Sequence, residues 1–210
     1  MNLIHKHILT VGLVLAAFAI GATSIVALTE ANTRDKIIEN ERQTLLLAIN
    51  ALVDDNEYNN DILTDIIILP STQQLATKGN STVYRARKDG RPVAAVFTSI
   101  APNGYSGKIT LLVGIYYDGS LAGVRVIKHK ETPGLGDKIN EKKTDWILKF
   151  KGLSLVNPIE SRWAVKKDGG EFDQFTGATI TPRAVISAIK KSLQFFEQNQ
   201  DELFKEANNE

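Results

Sequence analysis

The first pattern in the chain is a long run without charge. From Ile8 to Thr29 no position is ionisable, and Leu, Val, Ile and Ala fill most of them. Those 22 residues would reach roughly 33 Å as a helix, which matches a hydrocarbon core of about 30 Å. A signal peptide usually has an apolar stretch of about 7–15 residues. A membrane span is therefore the preferred reading, with cleavage near Ala22, Ser24 or Ala27 as its rival. Lys6 and the amino terminus precede the span, and Glu30, Arg34, Asp35 and Lys36 follow it with mixed sign. That weak bias puts residues 1–7 in the cytoplasm and the rest outside, on the periplasmic or extracytoplasmic face of an inner membrane. No Pro or Gly interrupts residues 22–53, so the helix is expected to continue as a stalk. Ile38, Leu45, Ile49 and Leu52 give it one apolar stripe, expected to pack on its own domain.

Beyond the stalk the period changes. Residues 54–60 are polar and turn-like, 61–68 are ambiguous between strand and helix, and 70–80 read as loop. Residues 82–87 and 92–100 flank Lys88-Asp89-Gly90-Arg91, a hairpin signal through its Asp-Gly pair. Residues 108–117 and 121–129 flank Asp118-Gly119-Ser120 as a second hairpin. These strands are expected to be antiparallel, with one face buried. Residues 137–150 read as a helix anchored by Ile139, Trp146, Ile147 and Phe150. Residues 161–166 and 171–175 read as a third hairpin, 182–199 as a final helix, and 200–210 as a fraying polar tail. The fold class is α+β: a single transmembrane helix (8–29), a helical stalk and connecting region (30–80), and a domain with a mainly antiparallel sheet flanked by helices (81–199).

Composition narrows the chemistry. The net charge is +1 over 210 residues, so no basic field marks a nucleic-acid partner. There is no cysteine, which excludes disulfides and thiolate-ligated metals or clusters. Only His5, His7 and His129 are histidines. No metal site and no stand-alone catalytic residue is expected. No Gly-rich nucleotide loop is present either.

The most informative stretch is Asp173 to Arg183, which reads as a strand end, a tight turn and a helix start. Thr181 suits an N-cap and Pro182 the first helical position. Thr179 would then sit just ahead of a helix N-terminus, where free N–H groups and the dipole favour a phosphate. Gly177 and Ala178 would let a bulky group approach the backbone. By itself this is also an ordinary capped helix after a turn. A second stretch, Glu131-Thr132-Pro133-Gly134-Leu135-Gly136, has the composition of a turn.

Together the two stretches resemble the covalent-FMN-binding domain family. That family occurs in the G subunit of Rnf/Rsx-type electron-transport complexes and in the C subunit of the sodium-pumping quinone reductase. Asp173-x-x-Thr176-Gly177-Ala178-Thr179 resembles its flavinylation motif, and Glu131 to Gly136 its other signature. Tyr105 resembles a family position near the flavin pocket. The resemblance implies covalent FMN held by a phosphoester to Thr179. It implies a Mg-dependent flavin transferase that installs it from FAD and reads Asp173. It also implies that the loop of Glu131, Thr132, Pro133, Gly134 and Leu135 lies against the isoalloxazine ring. Spacing alone does not choose among Thr176, Thr179 and Thr181 as the esterified hydroxyl; the family pattern picks Thr179. The implied function is an electron-relaying flavoprotein subunit, held in membrane lipid, within a multi-subunit ion-translocating complex whose other subunits are its partners. The rival readings are a cofactor-free assembly subunit and an extracytoplasmic hydrolase built on His129.

Overall fold

The structure is a computed structural model that describes the backbone of residues 3–205 and the side chains of residues 6–205. The expected segment 1–7 therefore begins, and the expected tail 200–210 ends, outside the described residues. Two compact units divide the chain, Met1–Leu45 and Leu46–Glu210.

Helix α1, Leu3–Asn50, is one unbroken helix of 48 residues, about 72 Å long at 1.5 Å per residue. It contains the whole uncharged run, whose side chains are exposed on every side. The expected stripe divides in two. Ile38 is 55% exposed, whereas Ile49 and Leu52 belong to the second unit and are buried.

The second unit is built on a five-stranded antiparallel meander. Its strands are β1 (Ile66–Leu69), β2 (Ser81–Lys88), β3 (Arg91–Gly104), β4 (Gly107–Tyr116) and β5 (Leu121–Lys128), in sheet order β1-β2-β3-β4-β5. Asp89 and Gly90 close the β2–β3 hairpin with φ of 51° and 76°, the two positive values a type I′ turn requires. Strand β3 runs past Ile100 to Gly104 and turns through Tyr105-Ser106 into β4. Pro102 hides that hairpin in the sequence; it sits where the register shifts between Ala101 and Gly104, a place a strand tolerates proline.

The expectation of a sheet with one buried face is corrected. Ala95, Phe97, Ile109, Leu111 and Val113 join the main core, yet Ala94, Val96, Leu112 and Ala122 are buried as well. Leu52 covers the second face; a Cβ built on Gly114 would come within 3.2 Å of it. Helix α2, Ile180–Phe204, covers the first with Val185, Ile186, Ile189, Leu193 and Phe196, which are all buried. It runs past the expected end at residue 199 because Leu203 and Phe204 are themselves buried.

Between β5 and α2 regular structure gives way, and two expectations fail. The expected helix over 137–150 is two short 3-10 turns, Gly136–Ile139 and Trp146–Phe150. Asn140 breaks it with extended backbone (φ −79°, ψ 132°), and Thr144 ties the gap by donating to the Lys138 carbonyl at 2.7 Å. The expected third hairpin is a pair of 3-10 turns, Glu160–Arg162 and Lys166–Asp168, joined by one parallel bridge between Val165 and Phe172. An aromatic cluster holds the segment instead. Phe150 stacks on Phe172 at 4.8 Å, Trp146 meets Phe175 edge-on at 5.1 Å, and Trp163 lies 5.1 Å from Phe172. Such pairs add to the burial of large apolar area. The cluster substitutes for a hydrogen-bonded ladder and fixes the entry to α2.

Candidate functional site

Two turns of the same kind face each other. In the first, Leu135 N–H donates to the Thr132 carbonyl at 3.2 Å, with Pro133 and Gly134 between and Gly134 at φ 77°. In the second, Ala178 N–H donates to the Phe175 carbonyl at 3.1 Å, with Gly177 at φ 80°. Both put glycine at the third turn position, where a positive φ excludes most residues. The turns approach closely: a Cβ on Gly177 would lie 3.4 Å from Leu135 Cδ2.

The cleft between them encloses about 280 Å³, at the lower edge of the range of about 300–1,000 Å³ for small-molecule pockets. Tyr105, Glu131, Thr132 and Leu135 line it together with Gly177, Ala178 and Thr179. Thus three segments distant in sequence meet: the β3–β4 turn, the loop after β5, and the start of α2. Gly136, Ile180 and Thr181 complete the lining. Gly136 closes the signature loop and Thr181 is one of the three candidate hydroxyls; Ile180 alone carries no signal in the sequence, because it follows a residue already explained by the helix start. Pro133 and Gly134 shape their turn but do not line the cleft, and Thr176 is exposed outside it. Asp173 also lies outside; its carboxylate pairs with Lys166 at 2.7 Å, which lowers its pKa. Trp146 is core rather than pocket wall, and its indole N–H donates to the Asp173 carbonyl at 2.8 Å, pinning the start of the motif.

The helix start differs from expectation. Thr179, not Thr181, occupies the N-cap, and Pro182 is the third helical residue, where its missing N–H leaves no bond unmade. Thr179 makes no capping bond, and among the described residues its hydroxyl has no hydrogen-bond partner. It is half-buried and faces the cleft. Thr181, fully buried, gives its hydroxyl to Glu131 Oε2 in a short hydrogen bond. Glu131 is itself 4% exposed; its Oε1 accepts from Ser106 N–H at 3.0 Å, and no salt bridge reaches it among the described residues. Its own N–H donates to His129 Nδ1 at 3.2 Å. That engages one ring nitrogen, and no Ser or Thr hydroxyl is bonded to His129 among the described residues. One turn into α2, Arg183 forms a two-pronged pair with Asp168, whose pKa it lowers. No group of His, Asp and Glu capable of holding a metal occurs among the described residues.

Residues 104–194 match the family model of the FMN-binding domain, and residues 1–52 match that of the RnfG N-terminal region. A Pseudoalteromonas atlantica protein, named as the G subunit of an ion-translocating oxidoreductase complex, is 47% identical over 197 residues, 94% of this chain and 92% of its own length. Proteins of the same name from Vibrio cholerae and Aliivibrio fischeri are each 44% identical, over 94% and 91% of the chain. The chain belongs to the RnfG family. The matched FMN-binding domain spans the β3–β4 turn through most of α2, so it contains every residue of the cleft. As an RnfG family member with one long apolar N-terminal helix, the chain is a single-pass membrane protein. Its fold is the expected α+β arrangement of an anchor helix and an FMN-binding domain.

Proposed function

We propose that Thr179 carries FMN through a phosphoester, and that the chain relays electrons through it as the membrane-anchored FMN subunit of an ion-translocating oxidoreductase complex. The observation that carries the proposal is the state of the threonine hydroxyls. Of the three candidate threonines at the helix start, Thr181 is buried and committed to Glu131, Thr176 lies outside the cleft, and Thr179 presents inside it a hydroxyl with no partner among the described residues.

The residues present fit the group. A phosphate on Thr179 Oγ1 lies at the N-terminal end of a 25-residue helix whose first N–H groups are uncapped, an environment worth about 0.3–1 kcal/mol to an anion. That interaction positions the phosphate; the covalent bond retains it. Leu135, Ala178 and Ile180 give the cleft apolar walls, and Tyr105, 69% exposed, stands at its mouth. When bound, FMN supplies reversible electron transfer at its ring. The chain's contribution is to hold that ring between two glycine turns and to orient it from the helix start.

Loading needs a second protein. A threonine hydroxyl is a weak nucleophile without a base, and the one carboxylate in the cleft, Glu131, is occupied by Thr181 and Ser106. A Mg-dependent flavin transferase therefore makes the bond. The threonine oxygen joins the FMN phosphorus of FAD, the pyrophosphate bond breaks, AMP leaves, and the hydroxyl proton passes to the transferase. Asp173, exposed at the foot of the motif and paired with Lys166, is the side chain presented for recognition. We place the domain on the periplasmic side, with α1 in lipid and the other subunits of the complex as its partners. The domain proper is taken as residues 81–199.

The test is denaturing electrophoresis of the full chain from cells that contain the transferase. A band fluorescent under ultraviolet light is expected, and Thr179→Val should darken it while Thr176→Val leaves it bright. A dark wild-type band overturns the proposal.

A further inference from the structure

We infer that Glu131 is a positioning residue, which sets the cleft by tying the start of α2 to the β3–β4 turn, rather than a group that contacts the flavin. The inference rests on the reading of Thr179 as the attachment point. The two oxygens of its carboxylate point to different segments: Oε2 accepts from the Thr181 hydroxyl, fifty residues on, and Oε1 accepts from Ser106 N–H at 3.0 Å. Glu131 and Thr181 both line the cleft, but each carboxylate oxygen is already bonded within its wall, and Glu131 is 4% exposed. Thr181 is two residues from Thr179, so the position of one hydroxyl fixes the other to within the rigidity of a single helical turn.

One glycine makes room for this carboxylate. A Cβ on Gly136 would stand 2.9 Å from Glu131 Oε2 and 2.8 Å from Thr181 Oγ1, and Gly136 has no positive φ that would explain it otherwise. Gly104 is dictated first by backbone: its Cβ would collide with the Gly107 carbonyl oxygen, and would stand 2.9 Å from Glu131 Oε1. Gly136 therefore serves the packing of the carboxylate into the cleft wall, while Gly134, at φ 77° and open to solvent, serves the turn.

A tie of this kind has a signature that a flavin contact lacks. In Glu131→Gln the amide oxygen accepts from Ser106 and the amide nitrogen donates to the Thr181 oxygen, so both ties survive without the charge. Thr181→Ser keeps the hydroxyl and Thr181→Val removes it. The experiment uses the full-length chain in detergent, unloaded, with two readouts. The first is amide hydrogen exchange over residues 104–107 and 183–187, the first α2 amides inside the helical ladder. The second is the rate of flavin loading by the transferase with FAD.

Glu131→Ala and Thr181→Val should each speed exchange in both segments by at least about tenfold, the loss of a hydrogen bond to a charged group. Both should slow loading, and the double variant should be no slower than the worse single one, since both remove the same bond. Glu131→Gln and Thr181→Ser should stay near wild type. If Glu131→Ala does not fold, the Thr181 pair decides by itself. Glu131→Gln as defective as Glu131→Ala would overturn the inference in favour of a charge acting on the cofactor or the transferase. Unchanged exchange in Thr181→Val would overturn it as well. Failure of the attachment reading is distinguishable: Thr179→Val would then load while the exchange pattern stayed as described.

Discussion

The two ends of helix α2 are held in opposite ways. The C-terminal end is clamped. Arg85 donates to the Lys205 carbonyl at 2.6 Å, Arg87 donates to the Phe204 carbonyl at 2.9 Å, and both arginines pair with Asp65. The phenyl ring of Phe204 adds edge contacts to Tyr117 at 5.3 Å and Phe196 at 6.3 Å, with Arg87 over its face at 5.7 Å. Cations therefore sit where the helix dipole is negative and the last carbonyls lack partners. The N-terminal end is held differently. Its N-cap side chain makes no bond, its first turn carries the cation Arg183 against the dipole in an exposed pair with Asp168, and one buried carboxylate, Glu131, ties it to the β3–β4 turn. The contrast teaches where the chain invests rigidity. The far end is fixed so that the near end can keep its N–H groups and the Thr179 hydroxyl open to the cleft.

The comparison is easiest to break at the clamp. Arg85→Ala leaves the Lys205 carbonyl without its partner and Asp65 with only one of its two arginines, and loss of hydrogen bonds to a charged group costs about 1.5–3 kcal/mol. Chemical denaturation should show a loss of that order, with α2 fraying from Phe204. A loss below about 1 kcal/mol, the surface range, would mean that the C-terminal end is not the anchor.

The next effect lies at the open end. Gly136→Ala forces a methyl against Thr181 and Glu131, and overpacking of this kind costs about 1–3 kcal/mol. It should also depress flavin loading, because the displaced side chain is two residues from Thr179. Gly134→Ala, which meets only a positive φ and open space, should cost about 1 kcal/mol and load normally. The smallest effect belongs to Asp168. Its pKa is lowered from 3.8 by the hydrogen bond from Arg183. A lowered carboxylate pKa supplies stability above the unfolded value, lost as pH falls through the folded one. Asp168→Asn should thus be slightly less stable than wild type at pH 7, and the difference should start to shrink as pH falls below 3.8. The pair is exposed and screened, so added salt should shrink the difference at neutral pH as well.

How far these features can be read from sequence depends on the range of the forces behind them. The strands from Val83 to Val126 are legible because alternation and the Asp89-Gly90 turn are local. The uncharged run from Ile8 to Thr29 is legible for the same reason. Trp146, Ile147 and Phe150 have helical spacing, yet they serve a cluster with Phe172 and Phe175 and settle into a 3-10 turn. Thr181 illustrates the point most sharply. Its neighbours make it a good N-cap, but a carboxylate fifty residues away takes its hydroxyl and shifts the cap to Thr179. Local rules make the two stretches a turn and a capped helix, and the family resemblance marks them as motifs; only the fold shows that they share one buried acid. The same limit explains Leu52, which looks like the last residue of a stalk stripe and is the cover of the sheet's second face.

The central claim is that one hydroxyl, on Thr179, carries the cofactor. Mass spectrometry of the full chain purified in detergent from cells that contain the transferase tests it most directly, first intact and then as peptides. The expected result is a mass increased by FMN less one water, located entirely on the peptide that holds Thr179 and absent from Thr179→Val. That variant should unfold within about 0.5 kcal/mol of wild type, since among the described residues the hydroxyl has no hydrogen-bond partner. An unmodified Thr179 in protein whose parent complex still transfers electrons would contradict it.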